Sequence, residues 1–168
     1  LKSMLGPGYE LRNFGHNGAT LLKQGDRPYW ETPQFKAAQA YAPDRVVILL
    51  GTNDSKRNNW KHQADFKANY IQMVQLFQSL ESQPTVWICY PAPSFSGKFG
   101  IKGRTIRTEM VPIIDDVAKE TGAQLIDLYA PLFEKPDLFA DTVHPNAQGA
   151  TVLAKTVYEA ITEKSDRN

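Results

Sequence analysis

The chain has 168 residues, 42% hydrophobic and 22% charged, the profile of one globular domain rather than of a disordered or fibrous chain. Its 19 Lys and Arg stand against 18 Asp and Glu, a net charge of +1 that creates no general attraction for nucleic acid, an anionic membrane or an acidic partner. No stretch reaches the roughly 18 apolar residues of a membrane span, and the one cysteine, Cys89, rules out an internal disulfide and reads as a packed core residue.

Four short runs have the composition of strands. The first, Tyr9 to Phe14, follows the turn at Gly6, Pro7 and Gly8 and is the least apolar. The second, Arg45 to Leu50, is an unbroken β-branched and leucine run, as expected of a strand covered on both faces. The third is Thr85 to Tyr90, closed by Pro91, and the fourth is Gln124 to Leu128, opened by Gly122. Between them the apolar spacing turns helical. Phe66, Tyr70, Met73, Val74, Phe77 and Leu80 share one face, as do Ile106, Met110, Ile113, Ile114 and Val117. Thr32 before Pro33 caps a shorter helix, and Asn146 caps the last one, whose inner face runs from Val152 to Ile161. Strands alternating with helices predict an α/β domain, a parallel sheet with helices on both faces, over residues 1–168.

In such a sheet the ligand site lies beyond the carboxyl ends of the strands. Gly15 to Thr20, Gly51 to Asp54, Pro91 to Gly103 and Asp141 to Asn146 all follow strands and converge on that edge. Each has an ordinary structural use: glycines permit positive φ, a Gly-x-Asn-Asp turn joins a strand to a helix, and an Asp-x-x-His spacing suits a solvated turn. Their combination in this order is the informative feature.

On these residues the chain resembles the SGNH, or GDSL-type, hydrolase family. Gly18 matches the glycine of the family's second block, Gly51-Thr52-Asn53-Asp54 its Gly-x-Asn-Asp block, and Asp141-Thr142-Val143-His144-Pro145 its Asp-x-x-His-Pro block. The wording from Asn53 to Pro91 is nearest to bacterial esterases that remove acetyl groups from carbohydrates, sialate O-acetylesterase-like members included. The resemblance implies a three-layer α/β/α, flavodoxin-like sandwich. It also implies a Gly-Asp-Ser block at the end of a strand lying between the one ending at Phe14 and the one ending at Leu50. That block is missing: Ser3, Ser55, Ser79, Ser82, Ser94, Ser96 and Ser165 stand in turns or helical patterns. The expectation is therefore an N-terminally incomplete domain, with the first strand and its serine supplied by a preceding segment or a second chain. A leader in that segment would make the protein secreted or periplasmic; the residues present leave the compartment open.

For a serine so supplied, the resemblance assigns His144 as general base, since imidazole titrates near neutrality, and Asp141 as the group that orients it. The Gly18 N–H and the Asn53 amide become oxyanion donors. No metal or organic cofactor is required, and the expected partner is a small-molecule or carbohydrate ester. His16, Asn17 and Trp60 are candidate rim residues, Trp60 as a sugar-stacking surface. Two alternatives remain open on the same fold: a binding module without a nucleophile, and a lipase or thioesterase for longer acyl chains.

Overall fold

The apolar runs form a parallel sheet of three strands. In this computed structural model, which describes residues 1–163, they are β1 (Arg45–Ile48), β2 (Thr85–Cys89) and β3 (Gln124–Ile126), in the order β1-β2-β3. Val46 lies opposite Val86 on one ladder, and Ile88 opposite Leu125 on the other. β2, the middle strand, alternates into two cores: Val86 and Ile88 enter one, Trp87 and Cys89 the other. Burial pushes the Cys89 thiol up to about 12.

Helices cover both faces, which gives the three expected layers. The helical elements are α1 (Lys2–Leu5), α2 (Pro33–Ala40), α3 (Arg57–Trp60), α4 (Phe66–Gln78), α5 (Gly103–Thr105), α6 (Val111–Thr121) and α7 (Ala147–Thr162), with short 3₁₀ turns between them. The larger core joins Phe35 of α2, Phe66, Tyr70, Met73, Val74 and Phe77 of α4, and Ile114 and Val117 of α6. Each fully buried side chain of this size contributes roughly 1.5–3 kcal/mol. The smaller core sets Val157 and Ile161 of α7, with Leu1 and Leu5, against Trp87, Cys89 and Ile126.

Helix ends follow the sequence signals. Thr32 Oγ1 accepts the Phe35 N–H at 3.2 Å, with Pro33 opening α2. Asn146 Oδ1 accepts the N–H groups of Gln148 and Gly149, and Gly122, at φ +70°, ends α6 with a left-handed cap. Pro112 enters α6 without an N–H to donate, and the wider π turn over Ile106–Met110 ahead of it absorbs the missing bond.

The first of the four expected strands, Tyr9 to Phe14, does not form. A strand exists through its ladder, and this segment has none: Tyr41 Oη donates to the Glu10 carbonyl at 3.3 Å, Tyr29 Oη to the Phe14 carbonyl at 2.8 Å, and Asn13 Oδ1 accepts the Gly15 N–H. It stands apart from β1 across a cavity of about 560 Å³, lined by residues 10–16, residues 45–50 and side chains including Tyr29, Tyr41, Met73 and Phe77. β1 is accordingly an edge strand among the described residues, with Val47 and Leu49 exposed.

Candidate active site

The segment after β3 returns on itself to present Asp141 and His144. Phe139 and Pro145 form an antiparallel bridge, and the Ala140 N–H donates to the His144 carbonyl at 2.8 Å. Between these points Asp141 Oδ1 accepts the N–H groups of Val143 (3.1 Å) and His144 (2.7 Å), while Oδ2 lies 2.7 Å from His144 Nδ1. The His144 backbone N–H first, and its ring second, hold the Asp141 carboxyl down at about 2. An ionised carboxylate only accepts, so Nδ1 is a nitrogen that carries a proton, and in the neutral ring the lone pair is on Nε2. The His144 side chain is 61% exposed and that of Asp141 24%, so the imidazole faces outward from a partly covered support. Thr142, at φ +71°, holds the turn between them in the left-handed region.

A second pair forms where the glycine loop meets the turn after β1. Gly18 has φ +77°, a conformation that favours glycine, and a Cβ there would sit 3.1 Å from Arg27 Nη1. Asn53 opens a 3₁₀ turn, and its Nδ2 donates to the Ala19 carbonyl at 3.2 Å, bringing the side chain to the residue after Gly18. Asp54, fully buried, clamps the same loop by accepting the N–H groups of Leu21 (3.0 Å) and Leu22 (2.7 Å). Burial dominates its ionisation and raises its carboxyl to about 6, although both amides favour the charged form. Asn59 completes the brace: Nδ2 reaches the Asn53 carbonyl (2.9 Å) and Asp26 Oδ1 (3.0 Å), and Oδ1 accepts the Asp26 N–H (2.9 Å).

The loop after β2 links the pairs. Phe99 packs its ring against His144, centroids 5.5 Å apart, and three residues on the Lys102 N–H donates to Ser55 Oγ, two residues after Asn53. The candidate residues thus fall into two groups, Asp141 with His144, and Asn53 with the Ala19 carbonyl next to Gly18, and residues 98–102 touch both.

The rim candidates fare differently. His16 is half-buried, with Nδ1 3.2 Å from Gln34 Oε1, and lines the cavity beside β1. Asn17 is exposed, and its carbonyl accepts from Arg27 Nη1 at 2.9 Å. Trp60 corrects the expectation: it is 8% exposed, packs on Phe66 and donates from Nε1 to Glu109 at 2.8 Å, so it is a core residue without a face for a sugar. Among the described residues no serine hydroxyl bonds the His144 ring. Ser55 Oγ donates to the Thr52 carbonyl, Ser79 to Leu76, Ser82 to Pro43, and Ser96 bonds Thr142; Ser165 lies outside those residues. Asn59 and Phe99 were not singled out by sequence. Asn59 resembles any helix asparagine, whereas Phe99 had one signal, an aromatic in a glycine-bounded loop on the predicted rim.

A model of the GDSL-like lipase/acylhydrolase family matches residues 1–152. The chain belongs to this family. A protein described as an acetylxylan esterase, from Xylanibacter ruminicola, is 36% identical over 179 residues, covering 96% of this chain and 37% of its own length. The chain thus spans little more than a third of the curated relative it matches. Solved structures share the fold, two of which illustrate it. A carbohydrate acetylesterase from Sinorhizobium meliloti superposes with a TM-score of 0.73 at 17% identity, covering 96% of this chain and 82% of that one. A lipase/acylhydrolase from Enterococcus faecalis gives 0.62 at 26% identity, covering 74% and 64%.

Proposed function

We propose that this chain belongs to a serine esterase that removes O-acetyl groups from carbohydrates. The observation that carries the reading is the Asp141–His144 pair: an ionised carboxylate 2.7 Å from Nδ1 of an outward-facing imidazole. In that role His144 Nε2 takes the proton of a serine hydroxyl as it attacks the ester carbonyl. It then returns the proton to the departing alcohol, while Asp141 stabilises the imidazolium without itself being protonated. The Gly18 N–H and the Asn53 amide stabilise the oxygen that becomes negative. The amide can do so because it carries two N–H bonds, and the one to Ala19 fixes its orientation. The acetyl-carbohydrate specificity is supported by the acetylxylan esterase relative.

The serine itself comes, in this reading, from a strand outside these 168 residues. The cavity between residues 10–16 and β1, and the exposed apolar edge of β1, support this, since an edge strand of this composition is a template for another strand. Its carboxyl end would emerge between His16 and Leu50, which line the same cavity.

The test uses the full-length protein, a serine-reactive fluorophosphonate and mass spectrometry of the labelled peptide. A label on a serine outside residues 1–168, lost in His144→Ala together with acetate release from acetylated xylan, is the expected result. A label on any serine within residues 1–168, or acetate release that His144→Ala leaves intact, would overturn the proposal.

A further inference from the structure

The loop after β2 is fixed at both ends and strained at its tip. At one end the Phe95 N–H donates to the Thr142 carbonyl at 3.1 Å, the Phe95 and Phe139 rings meet edge to face at 5.1 Å, and the Ser96 and Thr142 hydroxyls bond each other. At the other end Ile101 is buried, Lys102 is held by Ser55, and Gly103 passes so near the Ser94 carbonyl that a Cβ would come within 2.1 Å of it. Between these anchors Phe99 stands at φ +55°, flanked by Gly97 and Gly100, also at positive φ. Left-handed backbone is sterically unfavourable for a residue that carries a Cβ. Phe99 is also 57% exposed, so its ring forgoes much of the burial that would offset the strain. An aromatic held at two costs, with its ring on that of His144, is the pattern of a ligand-contacting position.

The surroundings select the ligand. A fatty chain needs a continuous apolar trough, but the Lys98 ammonium lies 5.7 Å from the Phe99 ring, and the same loop meets the His144 turn through the bonded Ser96 and Thr142 hydroxyls. One apolar ring face among hydroxyls and charge suits a pyranose, whose C–H face is apolar and whose rim is hydroxylated. We infer that Phe99 is a specificity-determining residue against which the sugar ring of the ester's alcohol side lies while His144 faces the scissile bond. This inference rests on the esterase reading above.

The experiment compares wild type, Phe99→Ala and Phe99→Trp in the full-length protein, on an acetylated xylo-oligosaccharide and on ethyl acetate, which share the acyl group but not the ring. Phe99→Ala should raise KM for the oligosaccharide about tenfold and lower the ratio of kcat/KM on the oligosaccharide to that on ethyl acetate by a similar factor, with Phe99→Trp restoring both. Equal losses on both substrates, or an unchanged oligosaccharide KM, would overturn the assignment. Titration with unacetylated xylotetraose, followed by NMR, needs no hydrolysis. The amides of residues 97–100 should shift in wild type and not in Phe99→Ala, and wild-type amides that stay still would also overturn it. A protein that hydrolyses neither ester contradicts the esterase reading, and the titration still decides Phe99 on its own.

Discussion

Asp54 is the residue whose substitution separates a charged clamp from a merely buried one. Its carboxyl is at about 6 in the folded protein and near 3.8 when unfolded, so the native state holds the proton more tightly. The sign follows: this contribution to stability is fully present below about pH 4 and is lost as pH rises through about 6. The whole difference is on the order of 3 kcal/mol, of which roughly half falls between pH 5 and pH 8. Asp54→Asn cannot ionise. It also offers one oxygen to two buried N–H groups, and leaving one without a partner costs about 1–3 kcal/mol. The variant should therefore be the less stable protein at pH 5, with the gap to wild type narrowing by roughly 1–2 kcal/mol on going to pH 8. Urea unfolding at intermediate pH values, followed by tryptophan fluorescence, measures that gap, and groups common to both proteins cancel in it. A gap that stays constant or widens with pH would refute the reasoning. The Leu21 and Leu22 amide resonances give a second readout and should move with a midpoint near pH 6 in wild type only.

Three further predictions concern the site. In the full-length protein His144→Ala should lower kcat by a factor on the order of 10³ or more, and Asn53→Ala by roughly 10²–10³, with KM little changed; an Asn53→Ala effect confined to KM would remove the asparagine from the oxyanion role. Gly18→Ala forces a Cβ onto a positive-φ residue beside Arg27 and should cost about 1–2 kcal/mol, measurable by urea unfolding, where equal stability would contradict the assigned conformation. Asp141 is opposite in sign to Asp54: with its carboxyl held at about 2, its contribution is present above about pH 4 and lost as pH falls through 2. Asp141→Asn should hence lose less stability than wild type on acidification across that window, and identical acid profiles from thermal melts would show that the carboxylate is not held as described.

Much of this architecture was readable from residue order because it depends on local signals. The β-branched runs at 45–50 and 85–90 became β1 and β2, each shortened at its carboxyl end where the chain turns toward the site. Thr32, Gly122 and Asn146 cap helices because each needs only its neighbours to do so. The Asp141–His144 contact was foreseeable for the same reason, three residues being one turn of chain. What failed depended on distant partners. Tyr9 to Phe14 has strand-like residues, but a ladder requires a second strand alongside, and tyrosines from elsewhere took the Glu10 and Phe14 carbonyls instead. Trp60 looked like a rim aromatic until Phe66 and Glu109 enclosed it. Asn59 acquires its meaning only when Asp26 and Asn53, far apart in the chain, arrive at its two ends.

The placement of Cys89 makes the protein its own probe of opening. The lone thiol sits on the middle strand with no exposed surface, and with its pKa at about 12 it supplies almost no thiolate near neutrality. A disulfide reagent such as dithionitrobenzoate can react only after the smaller core opens, whether α7 and α1 lift from the sheet or β2 leaves its neighbours, so the yellow colour it releases marks molecules in which that core has come apart. Movement of the Phe99 loop would pass unseen, and the reaction rate under native conditions would time the opening of that core.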